Sequence, residues 1–249
     1  MGCAFVGTEL AVATYIFANA GEDRERLYDD SHCDGTRLRF WSLIPGRELN
    51  EDVLNMVAGM CTTRKFDNSK WWLPTTFSQM IVKPELYNQD TMDYIKDRYM
   101  GYADDLKTVR FPQTCCLEFN HPGKFVEAML KDNSFWAAEE HFPPFVSDYK
   151  PLVPEVGRQA DGSMDCGVWV CQCMVNSHLW LDYNLQDIND STRISLAIDL
   201  VTSPQNPLAN LIWERAVNFW DAEMLRDFNT TLGERGHEMT PARSGSQTI

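Results

Sequence analysis

The sequence predicts one α+β domain followed by a tail. Three observations carry this expectation. Apolar residues recur at helical spacing in several stretches, most clearly Val53, Leu54, Val57 and Met60. Short apolar runs bounded by turn residues, 109–112 and 114–119, read as strands. No internal repeat and no linker composition divides the chain. With 249 residues, 44% of them hydrophobic and 23% charged, it can bury a core without covalent staples.

The elements follow in chain order. Residues 7–20 predict a first helix, with Thr8 placed to cap it. Residues 21–35 are charged and read as loop, and Pro45-Gly46 signals a turn. Asn50 is placed to cap the helix that carries Val53 to Met60. Trp71-Trp72-Leu73-Pro74 reads as extended. Thr75 and Thr76 then open a brief helix through residue 82, and Thr91 opens another with Met92, Tyr94, Ile95 and Tyr99. Pro122-Gly123 ends the two strands, and 124–131 and 135–140 look helical. The proline-rich stretch 143–154 predicts extended chain. An apolar helix is predicted over 166–180, then two more over 194–201 and 207–228. Residues 230–249 hold little that can be buried and predict a disordered tail, which leaves 1–229 as the domain.

Charge and cysteine usage exclude several classes. Lys and Arg number 22 against 36 Asp and Glu, a net charge of −14, which argues against nucleic-acid binding through a basic surface. Eight cysteines are present, but their spacing suggests neither a disulfide framework nor a zinc site, so reduced thiols and no metal are expected. The apolar stretch 11–20 ends in Ala18-Asn19-Ala20, which mimics a cleavage site, but it has no basic residue before it and Glu9 at its start. It is read as a helix packed on the domain. No segment has the length of a membrane span, and no membrane partner is expected.

The chemistry concentrates in one segment, 158–172. A turn at Asp161, Gly162 and Ser163 delivers Cys166 to the first turn of an apolar helix. Backbone N–H groups and the helix dipole favour a thiolate at that position. Gly167 leaves room for a substrate backbone beside the sulfur. Gln159 is placed to donate to a developing oxyanion. A cysteine in an apolar helix is more often a small buried hydrophobe, and Cys171 and Cys173 are read that way. From the residues alone, the catalytic and structural readings of Cys166 stand side by side.

The run from Gln159 through Ser163-Met164-Asp165-Cys166-Gly167-Val168-Trp169-Val170 resembles the nucleophile segment of the ubiquitin-like-modifier (SUMO/sentrin-type) cysteine proteases, in the variant abundant in plants. Leu49-Asn50-Glu51-Asp52-Val53-Leu54-Asn55 is similar to the family's Leu-Asn-Asp helix opening. Trp72-Leu73-Pro74-Thr75-Thr76-Phe77 is similar to the segment after it. The resemblance covers roughly 37–220, leaving 1–36 as an N-terminal extension. It implies a papain-like fold of the ubiquitin-like-protease type, with a central sheet flanked by helices. It also implies a Cys-His-Asp triad without cofactor, in which Cys166 is the nucleophile and Gln159 lines the oxyanion hole. The implied partner is a ubiquitin-like modifier or its conjugate, in the nucleus or cytoplasm.

Two departures stand out. The family carries a His-Trp pair on a strand between these regions, with an aspartate at the end of the next strand. Here only Gln113, Thr114 and Cys115 separate Val109-Arg110-Phe111-Pro112 from Cys116-Leu117-Glu118-Phe119. The fold is therefore expected to lack one strand. None of the five histidines, His32, His121, His141, His178 and His237, precedes a tryptophan. Glu118 falls near the place of the family's aspartate as an orienting carboxylate, and His121 is the nearest candidate base. On the predicted helix His178 lies twelve residues from Cys166, about 18 Å, too far to act as a base. The second departure concerns substrate choice. Glu48 stands where the modifier-specific members carry a tryptophan. The expected function is a thiol peptidase or isopeptidase acting on modifier precursors or conjugates. The alternative is a catalytically inactive relic or a modifier-binding protein.

Overall fold

The computed structural model describes residues 7–18, 22–30, 33–64, 70–83, 85, 87–100, 108–110, 122–136, 162–176 and 188–238. Helix α1 (Gly7–Phe17) leads into strands β1 (Arg26–Asp29) and β2 (Asp34–Thr36). Helix α2 (Arg37–Phe40) and a 3-10 turn (Trp41–Leu43) carry the chain to α3 (Glu51–Arg64). Strand β3 (Lys70–Trp72), α4 (Thr75–Val82), α5 (Gln89–Tyr99) and strand β4 (Thr108–Arg110) follow. Helix α6 (Pro122–Met129) and a 3-10 turn (Asn133–Phe135) precede α7 (Cys166–Val175), α8 (Asp190–Val201) and α9 (Ala209–Glu238).

Helix α3 is central. Val53, Leu54, Val57, Ala58 and Met60 are all buried, as their spacing predicts, together with Met56 and Cys61. The Asn50 side chain accepts from the Asp52 backbone at 2.9 Å, which opens the helix as expected. Helices α7, α5 and α4 and strand β3 all pack on α3. Strand β3 pairs in parallel with β4, Trp71 opposite Val109, with α4 and α5 forming the crossover. Trp71 and Trp72 are both core residues. The second expected strand, 114–119, lies outside the described residues. Among the described residues the strands form two two-stranded pairs, β1–β2 and β3–β4.

Several expectations are corrected in detail. Within the stretch read as loop, strands β1 and β2 pair antiparallel. Their apolar signal is only Leu27-Tyr28, two adjacent residues where alternation is expected. A bulge between Arg26 and Tyr28 lets both side chains turn inward, and both are fully buried. The α5 cap is Asn88, whose side chain accepts from the Thr91 backbone, rather than Thr91 itself. Helix α8 starts earlier than predicted, at Asp190, because Asn189 and Thr192 form a reciprocal capping box. Helix α9 runs to Glu238, so 230–238, read from the sequence as tail, continue a helix anchored by Ile212 and Ala216. Extending a formed helix costs far less than starting one, so this stretch needs no apolar face of its own.

The N-terminal segment is integral to the core. Ala11, Val12, Ala13 and Ile16 of α1 are buried, and α1 packs on both α8 and α9. The Tyr15 ring meets Phe219 edge to face at 5.8 Å. Asn206, buried between α8 and α9, donates to the Leu27 and Val201 carbonyls at 2.9 and 2.7 Å and accepts from the Asp29 backbone. Every polar atom of that amide is therefore used, as burial requires.

Candidate active site

Cys166 is the first residue of α7, half-buried at the end of the turn 162–165. Gly162 has φ +76°, a left-handed conformation that favours glycine, and it turns the chain toward the helix. The turn is then pinned from two sides. Ser163 Oγ donates to an Asp165 carboxylate oxygen at 2.5 Å and accepts from the Asp165 backbone at 3.2 Å. Arg193 of α8 donates through Nε and Nη2 to the other Asp165 oxygen at 2.9 and 2.5 Å. The same guanidinium donates to the Met164 carbonyl at 3.0 Å and the Ser42 carbonyl at 3.1 Å. Burial pushes the Asp165 carboxyl up, but the bonds from Ser163 and Arg193 outweigh it and hold the group below the usual Asp range.

The other thiols of this helix behave differently. Cys171 is fully buried, and burial, then neighbouring Cys61 and Cys173, push its thiol well above the ordinary range. Burial also raises Cys173. Both therefore stay protonated, as expected of small hydrophobes. Cys166 alone of the three stands at the helix start.

Gly167 has a different role from the one expected. A Cβ there would lie 2.8 Å from Leu49 Cβ and 3.0 Å from Leu49 Cδ2. The missing side chain lets α7 approach the segment leading into α3, so the constraint is packing within the protein. Gly167→Ala is expected to cost about 1–3 kcal/mol by overpacking, read from the shift in urea midpoint. Leu49→Ala in the same chain should recover part of that loss by making room.

Of the site residues expected from the sequence, Cys166 is placed by the structure. Gln159, Glu118 and His121 lie outside the described residues, as do His32, His141 and His178 and the side chain of His237. Arg193 was missed by sequence reasoning. Its signal is present nonetheless: it shares the buried face of α8 with Leu196, Ala197 and Leu200. A charge on an apolar stripe implies a buried partner.

No protein-family model and no curated protein matches the sequence. Among solved structures, the chain is similar to the C-terminal Ulp1 protease domain, determined in complex with Smt3, the yeast ortholog of SUMO. The TM-score is 0.55 at 17% identity, over 82% of this chain and 97% of that one. The fold is thus like that of a SUMO-protease domain, reached at an identity where only the fold is shared ground.

Proposed function

We propose that this chain is a thiol peptidase or isopeptidase of the ubiquitin-like-protease type, with Cys166 as nucleophile. The observation that carries this reading is the placement of Cys166 at the start of α7, after a pinned turn, in a chain whose fold is like that of the Ulp1 protease domain. The substrate is the tail of a ubiquitin-like modifier, in a precursor or a conjugate. The Cys166 thiolate attacks the scissile carbonyl, and the oxyanion is stabilised by Gln159. The amine leaves with a proton from a general acid, and water then hydrolyses the thioester. His121 is the candidate acid and base, with Glu118 to orient it. The domain runs through the end of α9, the branch is the plant type, and the compartment is nuclear or cytoplasmic.

A second reading has its own observation. Only three residues separate the two segments that in the family flank a His-Trp strand. Without that strand, Cys166 lacks the family's base, and turnover is expected to be weak or absent. The chain is then a relic that binds the modifier tail without cleaving it.

The test is a ubiquitin-like modifier carrying a C-terminal electrophile. The expected result is covalent labelling of wild type at Cys166 and none in Cys166→Ala. Absence of labelling, under conditions where an active SUMO protease is labelled, sinks the peptidase reading. Labelling without hydrolysis of a modifier-tail amide supports the second.

A further inference from the structure

We propose that Arg193 is a positioning residue for Cys166, acting through Asp165 to hold a negative charge off the start of α7. This rests on Cys166 being the reactive thiol. An Asp just before a helix ordinarily accepts from the N–H groups of the first turn. Asp165 occupies that place but makes no capping bond, and its backbone (φ −93°, ψ 1°) departs from the extended geometry of a capping residue. Its carboxylate is committed elsewhere. Both hydrogen bonds from Arg193 end on one oxygen, and Ser163 Oγ takes the other.

Arg193 is built for this task. Its residue exposure is 1%, its side chain comes from the apolar face of α8, and it also grips the carbonyls of Met164 and Ser42. One guanidinium thus fixes the residue before the nucleophile, the residue before that, and the 3-10 turn leading toward α3. Two electrostatic consequences follow. Pairing neutralises a carboxylate that directly precedes Cys166 in the chain, where an unpaired charge would oppose a thiolate. Turning it toward α8 also keeps it from competing with a substrate anion at the helix start. A buried ion pair adds little net stability over apolar residues of the same size, so its presence beside a reactive group calls for a role in placement.

The test is the alkylation rate of Cys166 by iodoacetamide near neutral pH, followed by mass spectrometry on the full chain. Arg193→Gln leaves the Asp165 charge unpaired and is expected to slow alkylation by about threefold to tenfold. Asp165→Asn keeps an acceptor for Arg193 but removes the negative charge, and is expected to speed it. Arg193→Lys should stay near the wild-type rate. A purely structural clamp would loosen in both single variants and accelerate both, so rates moving in the same direction, or not at all, overturn the proposal. Should Arg193→Gln fail to fold, Asp165→Asn and Arg193→Lys decide together: an unchanged or slower rate in the first, or an accelerated rate in the second, overturns it. Labelling by the modifier electrophile separates the two claims. Opposite-sign rates in a chain that is never labelled uphold the clamp and sink the peptidase. A labelled chain with same-sign rates does the reverse.

Discussion

Trp71→Ala is expected to lower the unfolding free energy by about 3–5 kcal/mol, measured by urea denaturation. The indole is 1% exposed on β3, and its ring lies 6.3 Å from that of Phe135. Its neighbours belong to elements far apart in the chain: α3 packs on β3, and β4 pairs with it. Such a site cannot collapse around a missing ring, so the transfer loss and the cavity add. Trp71→Phe separates volume from polarity. Among the described residues the Trp71 indole N–H has no hydrogen-bond partner, so phenylalanine removes some packing and also a buried, unanswered donor. It should cost less than half as much as alanine. Equal losses in the two variants would show that the ring's shape, and not its bulk, holds β3 in place.

Arg37→Met is expected to cost about 3–5 kcal/mol, because it leaves a paired carboxylate without its buried cation. Arg37 is fully buried, with its guanidinium 4.7 Å from the centre of the Tyr15 ring. Nη2 pairs with Glu25 at 2.5 Å, and Nη1 donates to the Ile16 carbonyl at 2.8 Å and to that of Tyr15. Those carbonyls belong to the last turn of α1, where helical partners run out and a cation is favoured. Glu25 is further held by Tyr15 Oη at 2.5 Å and Arg215 at 2.9 Å. Burial pushes the Glu25 carboxyl up, but the bonds from Tyr15 and Arg37 and the Arg37 charge outweigh it and bring it below the usual Glu range. A depressed carboxyl contributes its stability in full above the ordinary Glu range, and loses it as the pH falls through the folded value. Wild type should therefore lose stability with acid more steeply than Arg37→Met over the same range. Parallel acid profiles for the two would show that Glu25 draws little from Arg37.

The sequence made the helices legible where burial follows a single face. On α3 the spacing of Val53, Leu54, Val57 and Met60 identified both the element and its inward side. The same holds at Cys166, where a glycine turn followed by an apolar run marks a helix start. What escaped was whatever depended on partners distant in sequence. The β1–β2 pair is short, charged and bulged, so its two buried residues resemble a chance pair in a loop. Arg193 lies on an apolar stripe that implies a buried partner, but that partner, Asp165, stands 28 residues earlier where no local pattern names it. Gly167 was assigned to substrate access because Leu49, in the distant segment leading into α3, is invisible to local reading. Local periodicity reports which face is buried, and only the packed structure reports against what.

The seating of α1 bears on the order in which this chain can fold during synthesis. Its buried face meets α8 and α9, and its last turn reaches Arg215 and Phe219 through Glu25 and Tyr15. Helix α1 leaves the ribosome well before these partners, with the rest of the core between them. Until α8 and α9 are made, Val12 and Ile16 lack their native cover, so the nascent chain carries an exposed apolar stretch. Closure of the core is therefore a late, long-range event, and contacts of such sequence separation slow folding.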